Sequence, residues 1–490
     1  MTKHHPVRRL AIALWFLAEA WAQQPPPTAA QADAPGEIDK LKENCTAFTL
    51  GKIGGCAEEL FTGVPLHIAV GSIAPQDGFG AGLAYVGHKT TENWRTTWDA
   101  DAIGSSNGSW RAGFYLTAVH TAEKKIGVSF GKPKVKPNLT ELPEHSVIKF
   151  YAQTISLNKL TYFGLGTDTT ESARSFYGMR ETVVGLSAVK PVTGKLHISL
   201  YGEVNGRLVN IRPSPDQPSP TLQQLYTDAT APGLTSQPGF VQFAEGVRFR
   251  PVLYDDFLRI NYDLAYRQYF APEDSTYSFQ RLTADLNHQF AIYRKTTRSL
   301  LPREGNGPDG CALDADHPEC AVDKQAVYKE CMAEKPSHPG GCTAITRDLQ
   351  GSVLIRAFMA LSMTPGGDVV PFYFMPTIGG MDINGNPALL SYQDYRFRAP
   401  NVVLFQQRFE HSIWGPLGFA LESDEGTVAV TRGALSSSDW LHSFATGLTL
   451  RAGGLPQVFL LFSWGGREGT HTVANVNTSL LGGSVRPSLY

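Results

Sequence analysis

The chain has 490 residues, of which 42% are hydrophobic, 11% aromatic and 18% charged, and 43 basic against 45 acidic residues leave a net charge of -2. This hydrophobic content excludes a disordered chain, and the charge balance shows neither a nucleic-acid partner nor a polybasic membrane patch. Beyond the first 22 residues no apolar stretch reaches the roughly 18 residues that a membrane helix needs, which leaves two classes: a secreted all-β protein or an outer-membrane β-barrel.

In chain order, Arg8 and Arg9 precede the apolar run Leu10 to Ala18, and Ala20-Trp21-Ala22 supplies small residues at a cleavage site. A basic start, a short apolar core and an A-x-A site make a secretory signal over residues 1–22, so export from the cytoplasm is expected. Gln23 to Pro27 is a Pro-rich start to the mature chain. Residues 23–61 are too few to fold readily without a staple. A short helix is expected over 39–50, either filling a lumen or lying beneath it. Six cysteines suit an oxidising compartment. Cys45 and Cys56 lie in this extension, and Cys311, Cys320, Cys331 and Cys342 crowd one segment at spacings of 9, 11 and 11. Zinc sites favour C-x2-4-C pairs, so disulfides are expected rather than a metal, with the pairing inside the cluster open.

From residue 64 the chain repeats about ten residues of apolar–polar alternation followed by a Gly, Pro, Asn or Asp turn, about 16 times in all. Trp110, Ala112, Phe114, Leu116 and Ala118 alternate with Arg111, Gly113 and Thr117. Leu258, Ile260, Tyr262, Leu264 and Tyr266 alternate with Arg259, Asn261, Asp263 and Arg267. Leu282, Ala284 and Leu286 alternate with Arg281, Thr283, Asp285 and Asn287; Tyr277 and Phe279 sit on the other parity, which predicts a bulge near Gln280. Val458, Leu460, Phe462 and Trp464 share one face of a late segment. Aromatics gather at segment ends (Trp94, Trp98, Trp110, Tyr162, Phe163, Tyr269, Phe270, Trp414, Trp440, Trp464), where girdles at a lipid interface would place them. An open edge in lipid is costly. The expectation is therefore an all-β fold: a closed antiparallel transmembrane barrel of about 16 strands over 62–490, with lipid outside and water inside. The connections 72–78 and 251–256 are short, whereas 207–239 and 299–350 are long; short turns are expected in the periplasm and long loops, including the cysteine cluster, at the cell surface.

Catalytic signatures are missing. Gly185-Leu186-Ser187-Ala188-Val189 lacks the second glycine of a nucleophile elbow, Asp255-Asp256 reads as a polar turn, and Gly78-Phe79-Gly80-Ala81-Gly82 lacks the lysine and helix of a phosphate loop. The chain is read as a non-enzyme without cofactor or metal.

Residues Phe372 to Ala429 resemble the bacterial surface antigen barrel, the C-terminal domain shared by outer-membrane assembly insertases and two-partner-secretion translocases. The matching residues are Gly379-Gly380, Leu390-Ser391-Tyr392, Arg396-Phe397-Arg398, Arg408-Phe409-Glu410 and Asp424-Glu425-Gly426. Weaker likeness extends upstream through Tyr162 to Gly166 and Asp274 to Phe279. Three departures stand out. Leu390 and Ser391 replace the family's loop arginine and glycine, Arg408 and Glu410 reverse the order of its acidic–aromatic–basic triplet, and 39 residues leave no room for tandem periplasmic polypeptide-binding modules.

Parity turns these motifs into an expected lumen site. With Tyr395 and Phe397 facing lipid, Asp394, Arg396 and Arg398 point inward. With Phe405 and Phe409 outside, Arg408 and Glu410 are inside. With Leu417, Phe419 and Leu421 outside, Glu422 and Asp424 are inside. Three adjacent strands would then gather three arginines and four carboxylates into one patch. The resemblance implies that the family's loop arginine docks on the Asp424 position; with Leu390 in its place, Arg396 or Arg398 is expected to take Asp424. What the resemblance implies for function is a monomeric outer-membrane protein that assists insertion or translocation of client polypeptides through a weakly closed seam. Pro487 cannot donate a ladder bond, so the last residues are not expected to complete that seam, and Tyr490 supplies an aromatic end. The alternative is a passive or plugged pore, or a structural surface barrel whose loop 299–350 binds a partner.

Overall fold

The computed structural model describes residues 65–121, 145–193, 197–215, 220–254, 256–299, 343–436, 438–452, 455–476 and 485–489. The signal, the N-terminal extension and all six cysteines lie outside the described residues. The chain begins with β1 (Leu66–Ser72), β2 (Phe79–Thr90), β3 (Trp94–Ser105) and β4 (Trp110–His120). Then come β5 (Val147–Tyr162), β6 (Ser175–Thr193), β7 (Ile198–Pro213), β8 (Phe240–Phe249) and the two-residue β9 (Val252–Leu253). β10 (Leu258–Phe270), β11 (Phe279–Ser299) and β12 (Thr343–Met363) precede a segment, 364–400, that leaves the sheet. Within it, β13 (Thr377–Ile378) and β14 (Phe397–Arg398) make a small ribbon. The chain then returns as β15 (Asn401–Trp414), β16 (Leu417–Ala429), β17 (Leu441–Ala452), β18 (Leu455–Gly466) and β19 (Gly469–Val476).

All but the ribbon belong to one 17-stranded sheet in which each strand pairs antiparallel with its chain neighbours, the short β9 sharing β10 with β8. The expected closed cylinder is not what forms. Among the described residues β1 pairs with β2 alone and β19 with β18 alone, so the sheet keeps two edges. Alternation in sequence reports which way a side chain faces; it says nothing about pairing between strands at opposite ends of a chain.

One face of this sheet is exposed and apolar. Leu83, Phe114, Leu186, Val204, Phe243, Leu421, Leu448 and Phe462 all stand on it. The opposite face is buried and charged. Arg111 meets Asp101 at 2.5 Å, Arg207 meets Glu181 at 2.7 Å and Arg356 meets Asp285 at 2.8 Å. This is the reverse of a soluble protein, where exposed large apolar patches are rare and charges are seldom buried.

Three expectations about placement are corrected. Tyr162, Phe163 and Tyr269 belong to no girdle; they are buried on the inner face, whereas Trp110, Phe270, Trp414, Trp440 and Trp464 are exposed. There is no bulge at Gln280. The β10–β11 register runs unbroken through Gln268↔Gln280 to Tyr269↔Phe279, and Phe279 turns inward because it stacks on Tyr269 at 4.2 Å. The irregularity in β11 lies instead at Ile292/Tyr293. Finally, the two long connections do not share a side. In an up-and-down sheet successive connections alternate between ends, so the one after β7 and the one after β11 leave from opposite ends. The short turn after β1 likewise lies opposite the connection between β8 and β10.

Candidate functional site: the inward segment and its docking face

Segment 364–400 enters the concave side of the sheet and packs against strands from both halves of the chain. Its entrance is aromatic. Phe372 lies edge-on to Tyr162 at 5.4 Å and to Tyr177 at 5.3 Å, and Phe374 to Phe240 at 5.0 Å. Phe372, Tyr373 and Phe374 are all buried. Each such pair contributes about 0.5–1.5 kcal/mol beyond the area it buries.

The segment then doubles back on itself. Gly379 and Gly380 both take positive φ, 102° and 62°. A Cβ on Gly379 would lie 2.6 Å from the Arg396 Cβ, and one on Gly380 2.5 Å from the Asp394 backbone nitrogen. Only glycine allows the outgoing limb to approach the returning limb so closely. At the tip, Asp382 accepts hydrogen bonds from the N–H groups of Asn384 (2.9 Å) and Asn386 (2.7 Å), fixing a tight turn.

Leu390-Ser391-Tyr392 lies on the inner face of β16 to β18. Leu390 is buried with Ala420, Ala445 and Leu461. Its carbonyl accepts from the Ser463 hydroxyl at 2.7 Å, and the Ser391 N–H donates to the Ser443 hydroxyl at 2.9 Å. The Leu389 N–H donates to Asp424 Oδ2 at 2.7 Å, with Leu389 itself in the left-handed region at φ 52°. Asp424 is also reached by the Gln406 amide at 3.2 Å. A backbone amide thus occupies the place on Asp424 that the resemblance reserved for an arginine.

The expected patch of seven charges is not assembled. Residues 394–398 lie outside the large sheet, with only Phe397–Arg398 in the small ribbon, and Tyr395 and Phe397 are buried rather than lipid-facing. Arg396 pairs with Glu468 in the β18–β19 turn and donates to the Thr169 carbonyl at 2.7 Å. Arg398 donates to the Phe372 carbonyl at 2.7 Å and to the Tyr177 hydroxyl at 3.3 Å. Neither arginine pairs with Asp424, which corrects that expectation. Asp394 accepts from the Met381 N–H at 2.9 Å, and burial pushes its carboxyl above the usual carboxylate range. Arg408 and Glu422 form their own cross-strand pair at 2.7 Å, while Glu410 meets Arg451 at 3.2 Å. Gly426 sits beside Leu404 and Ile378, under the base of the ribbon.

Several contributors were not anticipated: Leu389, Ser443, Ser463, Glu468 and the tail 485–489. Arg207 donates to the Ser488 carbonyl at 2.9 Å, the Leu489 N–H to Asn384 Oδ1 at 3.0 Å, and Arg486 to the Ile383 carbonyl at 2.5 Å. The tail is thus folded against the tip of the inward segment. The turn composition of Asp382-x-Asn384-Gly385-Asn386 is the sequence signal that could have located the tip; the tail contacts have no local signature. Among the described residues no group of three or more His, Cys, Asp or Glu is placed to hold a metal, and no helix is long and apolar enough to cross a membrane.

No protein-family model matches the chain, and no curated protein matches it. Among solved structures the resemblances are distant, at low identity and partial coverage. CdiB from Acinetobacter baumannii aligns with a TM-score of 0.41 and 11% identity, over 83% of this chain and 57% of that one. BamA from Haemophilus ducreyi lacking POTRA domains 1-3 aligns with 0.42 and 10%, over 83% and 66%. CdiB from Escherichia coli aligns with 0.42 and 11%, over 81% and 58%. The chain therefore spans between 57% and 66% of the length of these chains.

Proposed function

We propose that this chain is an integral outer-membrane protein that assists the insertion or translocation of polypeptides by offering them a strand edge. The membrane part of this reading is supported by the reversed polarity of the sheet, with apolar side chains outside and ion pairs within. The observation that carries the function is the pair of edges: β1 and β19 each have a single partner among the described residues. A row of backbone donors and acceptors facing lipid costs several kcal/mol per unmet group, and an incoming strand relieves that cost by β-augmentation. A steady open pore is disfavoured, because segment 364–400 and the tail occupy the concave side. In this reading Gly379, Gly380, Tyr392, Asp394, Arg396, Arg398, Asp424 and Gly426 hold that segment in place, Arg408, Glu410 and Glu422 tie neighbouring strands together, and none of them reacts. A photo-crosslinking amino acid at Leu66 on β1 tests the proposal, with Leu448 on the exposed face of the interior strand β17 as control. Capture of newly made outer-membrane polypeptides at position 66 but not at 448 is expected; equal capture, or none, would refute the edge as the working surface.

A further inference from the structure

Below the tip of the inward segment, strands β7, β8 and β10 to β12 enclose a cavity of about 310 Å³. Four arginines line it: Arg248, Arg267, Arg281 and Arg356. Arg356 grips Asp285 through two bonds of 2.9 and 2.8 Å. Arg248 meets Asp263 at 3.2 Å, and Arg250 reaches the same carboxylate at 3.2 Å. Arg281 donates to the Phe374 carbonyl at 2.8 Å and to the Ser362 hydroxyl at 3.2 Å. The third lining carboxylate, Asp382, is turned to the N–H groups of its own turn. Arg267 donates to the Thr283 hydroxyl at 2.6 Å and meets no carboxylate among the described residues.

The wall therefore carries more guanidinium than carboxylate charge, and three of its cations are held in place by rings: Arg248 over Tyr201 at 4.6 Å, Arg281 over Phe279 at 5.2 Å and Arg356 over Phe358 at 5.2 Å. Fixed guanidinium groups recognise carboxylate and phosphate through paired N–H donors. Asn384, Asn386 and Ser488 also line the cavity; the Asn384 amide donates to the Ser488 hydroxyl at 3.3 Å and the Asn386 amide to Asp382 at 2.9 Å, and the second N–H of each amide suits a hydroxyl. The volume lies at the lower end of the roughly 300–1,000 Å³ range of small-molecule sites, too small for a peptide strand.

We propose that this cavity binds a small hydroxylated organic anion, its carboxylate or phosphate on Arg267 and its hydroxyls on the amide groups of the tip. The test uses the full chain folded in detergent micelles, titrated calorimetrically with malate, gluconate, inorganic phosphate and, as neutral control, glucose. Saturable binding of at least one anion and none of glucose is expected; malate and gluconate against phosphate decides which oxyanion is preferred. Arg267→Gln should weaken binding at least tenfold, equivalent to about 1.4 kcal/mol, and Arg267→Lys by less. The bound anion should also raise the melting temperature of the unaltered protein by mass action, beyond chloride at equal ionic strength; this reading stands even if R267Q does not fold. Binding unchanged in R267Q, or no anion distinguishable from chloride, overturns the proposal and leaves a hydrated arginine.

Discussion

Position 390 carries leucine where the resemblance calls for arginine, and the consequence is visible one residue earlier. The Leu389 N–H donates to Asp424, while Leu390 fills an apolar pocket that would not accept a guanidinium. Asp424 therefore works as a hydrogen-bond acceptor, and its charge is not matched by an arginine of the segment. Two substitutions separate these roles. Asp424→Asn keeps an oxygen for the Leu389 N–H and should cost less than about 1 kcal/mol. Asp424→Ala strands a buried donor and should cost about 1–3 kcal/mol. Urea unfolding of the detergent-folded variants measures both. Equal and large losses in the two would show that the negative charge itself holds the segment. From the sequence, the Asp-x-Gly motif was legible; the partner that Asp424 takes was not, because a backbone N–H has no sequence signature.

Among the elements, strands with one wet and one apolar face were legible throughout, since alternation and the turn residues agree in β4, β10 and β16. The inward segment was not. Asp394-Tyr395-Arg396-Phe397-Arg398 alternates like a strand, and alternation does not distinguish an apolar side chain facing lipid from one buried against aromatic rings. What exposes the difference is packing: Arg396 lies over the rings of Phe163 and Phe397 at 4.8 and 4.5 Å, and the Tyr395 hydroxyl donates to the Pro75 carbonyl at 2.6 Å. Pro75 belongs to the β1–β2 turn, which Asp77 anchors. Its Oδ1 accepts from Ser109 and from Asn107 (3.1 Å), and from the N–H groups of Asn158 (3.1 Å) and Lys159 (3.2 Å). Burial nevertheless pushes the Asp77 carboxyl above its ordinary value of 3.8, outweighing those donors. A carboxyl whose pKa is raised by folding holds its proton longer in the folded chain, so stability falls as pH rises through the raised value. Asp77→Asn keeps the shape and removes the titration. Relative to this variant, the unaltered protein should lose stability as pH rises from the ordinary value of 3.8 through the raised one, read as a widening gap in melting temperature in favour of D77N. A gap that is constant, or that closes with rising pH, would contradict the buried, protonation-favouring environment.

For the molecule as a whole, the polarity of the sheet makes a claim that its strand order alone does not. A large antiparallel sheet with its ion pairs inside and Leu, Phe and Val outside is stable only if its outer face is covered by something as apolar as itself. Leu421 and Ile413 test this from neighbouring strands. Both are exposed, Leu421 at 48% near the middle of β16 and Ile413 at 56% at the end of β15. In a water-soluble sheet, arginine at either position is close to neutral, within about 0.5 kcal/mol. In a bilayer the cost depends on depth: about 2–4 kcal/mol at the midplane and about 0–1 near the interface. Leu421→Arg should therefore destabilise the protein in phospholipid vesicles by about 2–4 kcal/mol, and Ile413→Arg by no more than about 1 kcal/mol. The inner neighbour sharpens the contrast. Glu422, one residue along from Leu421, already carries a charge on the opposite face and pairs with Arg408, so a single step in register separates a position that holds a charge from one that rejects it. Two near-neutral arginines would leave the exposed face without lipid against it and remove the basis for a membrane role.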